Sequence, residues 1–380
     1  MVLGVLLSCK SPWSRQIVSQ LVNLGHKIQL IEFLDPSREN TKITNQNSQS
    51  EDIRIFYESV SEVHLLDSRY KSNLKYIDQA LRVNRICKKC KIDVLLTLYG
   101  GGFALTAWLS RFHPYCIYAV GSDVLFSKGV NRWLSRLTFN SSSIVFSNGK
   151  FLAEKARILV NKAKILPLLL GIDTSRFYPI EKDSSPVRII STRWFRPIYN
   201  NEYLIQAFAL MPEIDIDFLM TFTSSGQLLN SVQSLARETL PESLQKKIEF
   251  LGGVSDAGLV KKVKHAHIYV SMSRSDGTST SLLEALSCGL FPILSDIPQN
   301  REWIDTNENN GILVPLDQPE ALANALKKAI EDKEWRERVS EYNQNLILDR
   351  ACSRRNIKIL SSKLESIILQ KKRGKNVVYR

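Results

Sequence analysis

Residues 273–296 read SRSDGTSTSLLEALSCGLFPILSD. A small-polar loop runs into a helical segment, and the apolar run Phe291–Ser295 that follows has the composition of a buried parallel strand. Just upstream, Ile268–Met272 is a second apolar run, so the order is strand, loop, helix, strand. That order is the repeating unit of an α/β domain with a parallel sheet. The loop then lies at the carboxyl end of a strand, where open α/β sheets bind their ligands. Thr278, Ser279, Thr280 and Ser281 leave backbone N–H groups open at a helix N-terminus, which suits a phosphate. Two acids, Asp276 and Glu284, bracket these hydroxyls.

Working outward, short apolar runs alternate with amphipathic stretches along the chain. In the first half Val2–Leu7, Ile28–Phe33, Val94–Leu98, Cys116–Val120 and Ser143–Phe146 read as buried strands. Ser14–Leu24 has helical spacing and ends at Gly25, a residue suited to a helix C-terminus. A basic helix is predicted over Lys71–Lys91, with Asp78 its only acid. Residues 171–186 are rich in turn formers and mark a break, after which the alternation restarts. Val187–Ser191, Ile216–Thr221, Ile248–Leu251 and Gly311–Val314 complete the second set of strands, and Glu320–Glu331 and Glu334–Leu346 read as helices. A last helix over about 354–370 places Ile357, Leu360, Leu364 and Ile367 on one face.

The length, 380 residues, fits two domains of roughly 150–200 residues. With 44% hydrophobic and 23% charged residues the chain reads as soluble and globular. The expected architecture is therefore two doubly wound α/β domains facing each other across a cleft, with boundaries at 1–180, 181–350 and a terminal segment 351–380. The opening MVLGVLLSCK lacks the basic start and cleavage site of a signal peptide and reads as a first strand. The uncharged run Val94–Leu109 is shorter than the ~20 apolar residues of a spanning helix.

Six scattered cysteines suggest a reducing cytoplasm. Cys87 and Cys90 have metal-ligand spacing, but no second pair and no suitably spaced histidine completes a set of four, so reduced thiols are the expectation. Net charge is +13, of which residues 1–180 carry +11. Such asymmetry points to an anionic partner, either nucleic acid or an anionic membrane surface.

Arg193 follows the strand Val187–Ser191, and Arg196 comes three residues later. If that strand shares a sheet with Ile268–Met272, Arg193 can face the Gly277–Ser281 loop, and a guanidinium beside a helix N-terminus suits a diphosphate. Glu284 can hold a vicinal diol such as a ribose, or simply complement the helix dipole. Spacing leaves both readings standing. Asp123, after Gly121 and Ser122, can face the cleft or cap the next helix. Gly100–Gly102 can approach an acceptor closely or form a tight strand-to-helix turn.

The block SMSRSDGTSTSLLEALSCGLFPILSDIPQNREWID (271–305) resembles the nucleotide-sugar loop of GT-B glycosyltransferases of the retaining family 4, or group 1, in which two acids are separated by seven residues. NGILVPLDQPEALANAL (310–326), LPLLLGIDTSRFYP (166–179), STRWFRPIYNNEYLIQAF (191–208) and YAVGSDVL (118–125) resemble further segments of that family. The resemblance implies that Glu284 holds the ribose, that Gly277, Thr278 and Ser279 bind sugar and diphosphate, and that Arg193 neutralises the leaving diphosphate. Asp276 would hydrogen-bond the transferred sugar, Asp123 of the Gly-Ser-Asp turn would face the cleft as a catalytic candidate beside Asp276 and Arg193, and Arg196 would add a second charge. It implies no metal and no cofactor beyond the nucleotide-sugar donor, and a terminal helix that returns to the first domain. The acceptor would be lipid-linked or a surface-polysaccharide precursor, met at the cytoplasmic face of an anionic membrane and not on nucleic acid. A nucleotide-sugar-binding partner without turnover and an RNA-binding protein are the other readings; the second would explain the charge but not the ordered motifs. Two departures stand out. Asp276 replaces the usual glutamate, and Ile198-Tyr199-Asn200 stands where a diphosphate lysine is usual.

Overall fold

The computed structural model describes residues 1–33, 51–67, 70, 73–125, 129–160, 163–305, 307 and 309–377. They form two compact units, Met1–Leu170 with Arg354–Arg380, and Gly171–Ser353.

The first unit holds seven strands: β1 Val2–Leu7, β2 Lys27–Phe33, β3 Glu62–Leu66, β4 Val94–Thr97, β5 Tyr115–Ala119, β6 Ile144–Ser147 and β7 Ile165–Pro167. All pair in parallel in the order β3-β2-β1-β4-β5-β6-β7. Because successive side chains point to opposite faces, the strands feed two cores. Leu3, Val5, Leu30 and Leu96 join one with Ile17, Val18 and Leu21 of the helix Pro12–Asn23. Leu6, Ile31, Leu95 and Ile117 join the other with Val83, Ala104, Ala107 and Phe139. Gly25, at φ +82°, ends the first helix in the left-handed region where a side chain would be strained.

The second unit contributes β8 Val187–Ser191, β9 Phe218–Phe222, β10 Ile248–Phe250, β11 Ile268–Ser271, β12 Phe291–Ser295 and β13 Ile312–Val314, in the order β10-β9-β8-β11-β12-β13, again all parallel. In both sheets the order reverses beside the unit's first strand, between β1 and β4 and between β8 and β11. Such a reversal opens a crevice at the carboxyl ends of the two strands.

The terminal helix Ser353–Val377 belongs to the first unit: Ile357, Leu360, Leu364 and Ile368 enter its core, with Ile367 only partly buried beside them. Four such side chains, at about 1.5–3 kcal/mol each, are enough to hold it there. The first boundary falls at 170, ten residues before the sequence break suggested. Ile172 N–H donates to Ala351 O, and Phe177 is buried with its carbonyl accepting from Ser287 Oγ at 2.6 Å, so 171–180 pack on the second unit.

The basic helix spans Leu74–Lys89, and Lys71 and the tail residues 378–380 lie outside the described residues. No described helix is long and apolar enough to cross a membrane.

Candidate donor site

Arg193 emerges two residues beyond β8, and the loop 272–279 follows β11, its neighbour in the sheet. The strand reversal thus brings together segments more than 80 residues apart. Behind Arg193, the fully buried Phe195 packs with tilted rings against Phe222 and Phe250, and its amide donates to Ser225 O at 3.0 Å. Gly226 lies so close to Phe195 that a Cβ there would sit 2.5 Å from Phe195 O. This packing holds the loop that carries the arginine.

Arg193 is 7% exposed. Its Nη1 donates to Ser279 Oγ at 2.7 Å, its Nη2 donates to Asp276 Oδ2 at 2.5 Å, and the guanidinium lies 4.1 Å from the centre of the Tyr199 ring. Burial works against the charge of Arg193, but Asp276, Tyr269 and Tyr199 more than offset it and raise its pKa. The Asp276 carboxyl is pushed up by burial, against the pull of Arg193. Tyr199 therefore supports the arginine by a cation–π contact.

The hydroxyl run does more than leave donors open. Ser279 caps the helix Thr280–Ser287 by accepting from Leu282 N, and Asp276 Oδ1 accepts from Gly277 N at 2.8 Å. The amides of Leu282 and Gly277, the second of them expected to be open to a ligand, are thus engaged by the loop's own side chains. Glu284 is half-buried in the second turn, and burial first, then repulsion from Asp256, pushes its carboxyl up to about 8, with Arg176 and Arg193 pulling the other way. Arg176 Nη2 pairs with Asp256 Oδ2 at 2.5 Å. This ion pair beside Glu284 had no signal in the sequence. Arg196, expected to add charge to the arginine site, is exposed and lies over the Trp194 ring at 5.4 Å. Arg274, from the loop itself, donates to Asn200 Oδ1 at 3.1 Å and ties the two loops together.

In the first unit Asp123 is 5% exposed. Its carboxylate accepts from Gly100 N at 2.7 Å, Gly121 N at 2.8 Å and Val120 N at 3.2 Å. Its oxygens accept from the loops that follow β4 and β5 and so tie these two loops together. Burial raises its pKa, and the backbone donors hold it down. Gly100 leaves room for this: a Cβ there would meet Asp123 Oδ2 at 2.9 Å and Phe139 Cζ at 2.7 Å. The glycine run is a tight turn around Asp123. His267 is likewise structural, accepting from Arg188 N at 2.9 Å, with burial first and then nearby cations lowering its pKa to about 4.

The fold and the site define a class before any single relative does. The structure superposes on Anabaena HepE in complex with UDP with a TM-score of 0.75 and 14% identity, covering 96% of this chain and 99% of that one. The fold is that of the GT-B glycosyltransferases. Residues 175–346 match the model of the glycosyl transferases group 1, and residues 19–148 match that of the glycosyl transferase 4-like family. The chain belongs to the group 1, family 4-type glycosyltransferases.

Among curated proteins it is 31% identical over 93 residues to the GDP-mannose:cellobiosyl-diphosphopolyprenol alpha-mannosyltransferase of Xanthomonas campestris, covering 24% of each chain. It is 26% identical over 191 residues to the UDP-Gal:alpha-D-GlcNAc-diphosphoundecaprenol alpha-1,3-galactosyltransferase of Escherichia coli, covering 46% of this chain and 48% of that one. The matches thus span from a quarter to about half the length of these relatives.

Proposed function

We propose that the protein is an active retaining glycosyltransferase that moves a sugar from a nucleotide donor to a lipid-linked or surface-polysaccharide precursor. The observation that carries this reading is the position of Arg193, bound at once to Asp276 and to the capping Ser279 at a helix N-terminus. A buried guanidinium beside a helix N-terminus can stabilise the charge that develops as the sugar–diphosphate bond breaks. The acceptor oxygen forms the new bond to the anomeric carbon on the face the diphosphate leaves, and its proton passes to the departing phosphate. Asp276 hydrogen-bonds the sugar, and Glu284 accepts from the ribose hydroxyls. In this reading the protein's own donors meet the charge, and turnover requires no metal.

The acceptor class rests on the diphosphopolyprenol-linked acceptors named for the relatives above. A membrane-facing first unit would bring such an acceptor to the enzyme, and two features support it. The helix Leu74–Lys89 exposes Leu74, Ile77 and Leu81 at a helical spacing, and ends in Lys88 and Lys89. The helix Gly129–Ser141 exposes Val130 and Trp133 beside Arg132 and Arg136. Apolar side chains flanked by cations suit the cytoplasmic leaflet.

A panel of nucleotide sugars tests the donor reading through hydrolysis and thermal stabilisation. The right donor at 100 times its Kd stabilises the native state by about 2.7 kcal/mol. A panel in which no nucleotide sugar is hydrolysed or shifts the melting temperature would refute it. Stabilisation without turnover, in the presence of lipid-linked acceptors, would favour the silent binding partner.

A further inference from the structure

Cys87 and Cys90 part company in the fold. Cys87 is buried in the first unit's core, whereas Cys90, the residue that ends the helix Leu74–Lys89, stands half-buried beside the edge strand β3. There it meets two side chains that alternate onto the same face of that strand, Glu62 and His64. Cys90 Sγ is 3.9 Å from His64 Nε2 and 3.8 Å from Glu62 Oε2, and these last two atoms are 3.7 Å apart. Three atoms at the corners of a nearly equilateral triangle share a centre at side/√3, about 2.2 Å from each. Zinc binds Cys sulfur, His nitrogen and carboxylate oxygen at about 2.0–2.3 Å.

We propose that Glu62, His64 and Cys90 form a site for a thiophilic divalent cation, zinc being the metal whose bond lengths and ligand preferences the triangle meets. The three ligand types are those that borderline-soft Zn²⁺ accepts, whereas Mg²⁺ and Ca²⁺ take oxygen. The fourth position belongs to Gln29 or to water. Gln29 lies on β2 opposite Glu62 in the sheet register, and its Oε1 is 2.8 Å from His64 Nε2. Metal binding exchanges that hydrogen bond for a coordinate bond at Nε2, leaves the imidazole proton on Nδ1, and releases the thiol proton of Cys90 to solvent. The site is independent of the donor chemistry. Among the described residues β3 is the edge strand of its sheet, paired on one side, and a metal here would tie it to the end of the neighbouring helix.

The histidine is 26 residues from Cys90 and two from Glu62, a spacing that no short metal motif carries. Only the parallel pairing of β3 beside the helix end brings the set together.

The test is titration of the purified full chain, reduced and stripped of metal, with Co²⁺ and Zn²⁺. One equivalent of Co²⁺ should produce a thiolate-to-metal charge-transfer band together with visible d–d bands of low coordination number, and Zn²⁺ should abolish both. Cys90→Ser should remove the charge-transfer band, and His64→Ala should weaken Zn²⁺ binding by about tenfold or more. Zn²⁺ should raise the melting temperature of the wild type and not of Cys90→Ser, whose donor hydrolysis should be unchanged. Glu62→Gln, at an exposed position where folding is not at risk, gives a second reading of the same affinity. A Co²⁺ spectrum with no thiolate band, or one that persists in Cys90→Ser, overturns the proposal; so does Zn²⁺ affinity equal in wild type, His64→Ala and Glu62→Gln.

Discussion

Arg193 Nη2 donates to Asp276 Oδ2 at 2.5 Å, so the cation best placed for a diphosphate is already paired with a carboxylate across the sheet's switch point. A diphosphate must share or displace that partner, which sets Arg193 and Asp276 apart in their expected effects. Arg193→Ala should weaken transition-state binding by about 1.5–3 kcal/mol, the range for a hydrogen bond to a charged group, and should reduce kcat more than donor affinity. Asp276→Asn should instead tighten binding of the free nucleoside diphosphate while slowing transfer. Calorimetry with the nucleoside diphosphate, alongside single-turnover rates, separates the two. Weaker binding in both variants would show that Asp276 does not compete.

Glu284 gives a pH signature. Its carboxyl is raised to about 8, above the ordinary value of an unfolded chain, so its stabilising contribution is complete below the unfolded pKa and is lost as pH rises through about 8. The melting temperature of the wild type should therefore fall, relative to Glu284→Gln, between about pH 4.5 and about pH 8, and level off above it. Nucleotide affinity should run the other way, rising over that range, because ribose hydroxyls bond best to the ionised carboxylate. Parallel pH profiles for wild type and Glu284→Gln, in both melting and binding, would remove Glu284 from the ribose.

Asp123 should behave as a positioning residue. Asp123→Ala leaves the amides of Gly100 and Gly121 without their acceptor, at a cost of about 1–3 kcal/mol. Stability and turnover should fall together, with Asp123→Asn intermediate. Full stability with lost turnover would instead mark a directly catalytic carboxylate.

Leu364 lies in the first unit's core although it belongs to the last helix. Leu364→Ala should cost about 2–5 kcal/mol of stability. Nucleotide binding, which depends on the second unit, should persist below the melting temperature. Calorimetric traces in which only the nucleotide-stabilised transition moves would assign the helix to the wrong unit.

Charge reversal of Lys88, Lys89 and Lys91 to Glu tests the membrane reading. Each basic side chain near anionic lipid contributes about 1 kcal/mol, so binding to anionic vesicles should be lost while donor hydrolysis is spared. Wild-type binding should also fall steeply with added salt. A wild type that ignores anionic vesicles at low salt makes a soluble acceptor the better reading.

Much of the fold was legible because strands buried on both faces must be nearly all apolar, and the runs at Val2–Leu7, Val187–Ser191 and Phe291–Ser295 declare themselves. The strands that escaped are edges. β3 carries Glu62 and His64 in five residues, and β7 has only three, because an edge strand is paired on one side and needs less apolar sequence. The helix Glu51–Ser59 also had no prediction.

What the sequence determined by itself is local: the alternation of strand and helix, the Gly25 stop, and the candidacy of Arg193, Asp276 and Glu284 through their order along the chain. What only the tertiary structure decided is pairing. Parallel strands need long crossovers, so side chains that meet at a switch point lie far apart in sequence, as Arg193 and Asp276 do, and no local pattern encodes their contact. Burial decides the rest. It committed Asp123 to backbone amides, raised Glu284, sent Cys87 into the core, and left Cys90 to stand with Glu62 and His64. The protonation and partners of a polar group depend on the solvent it has lost, and that loss exists only once the chain has folded around it.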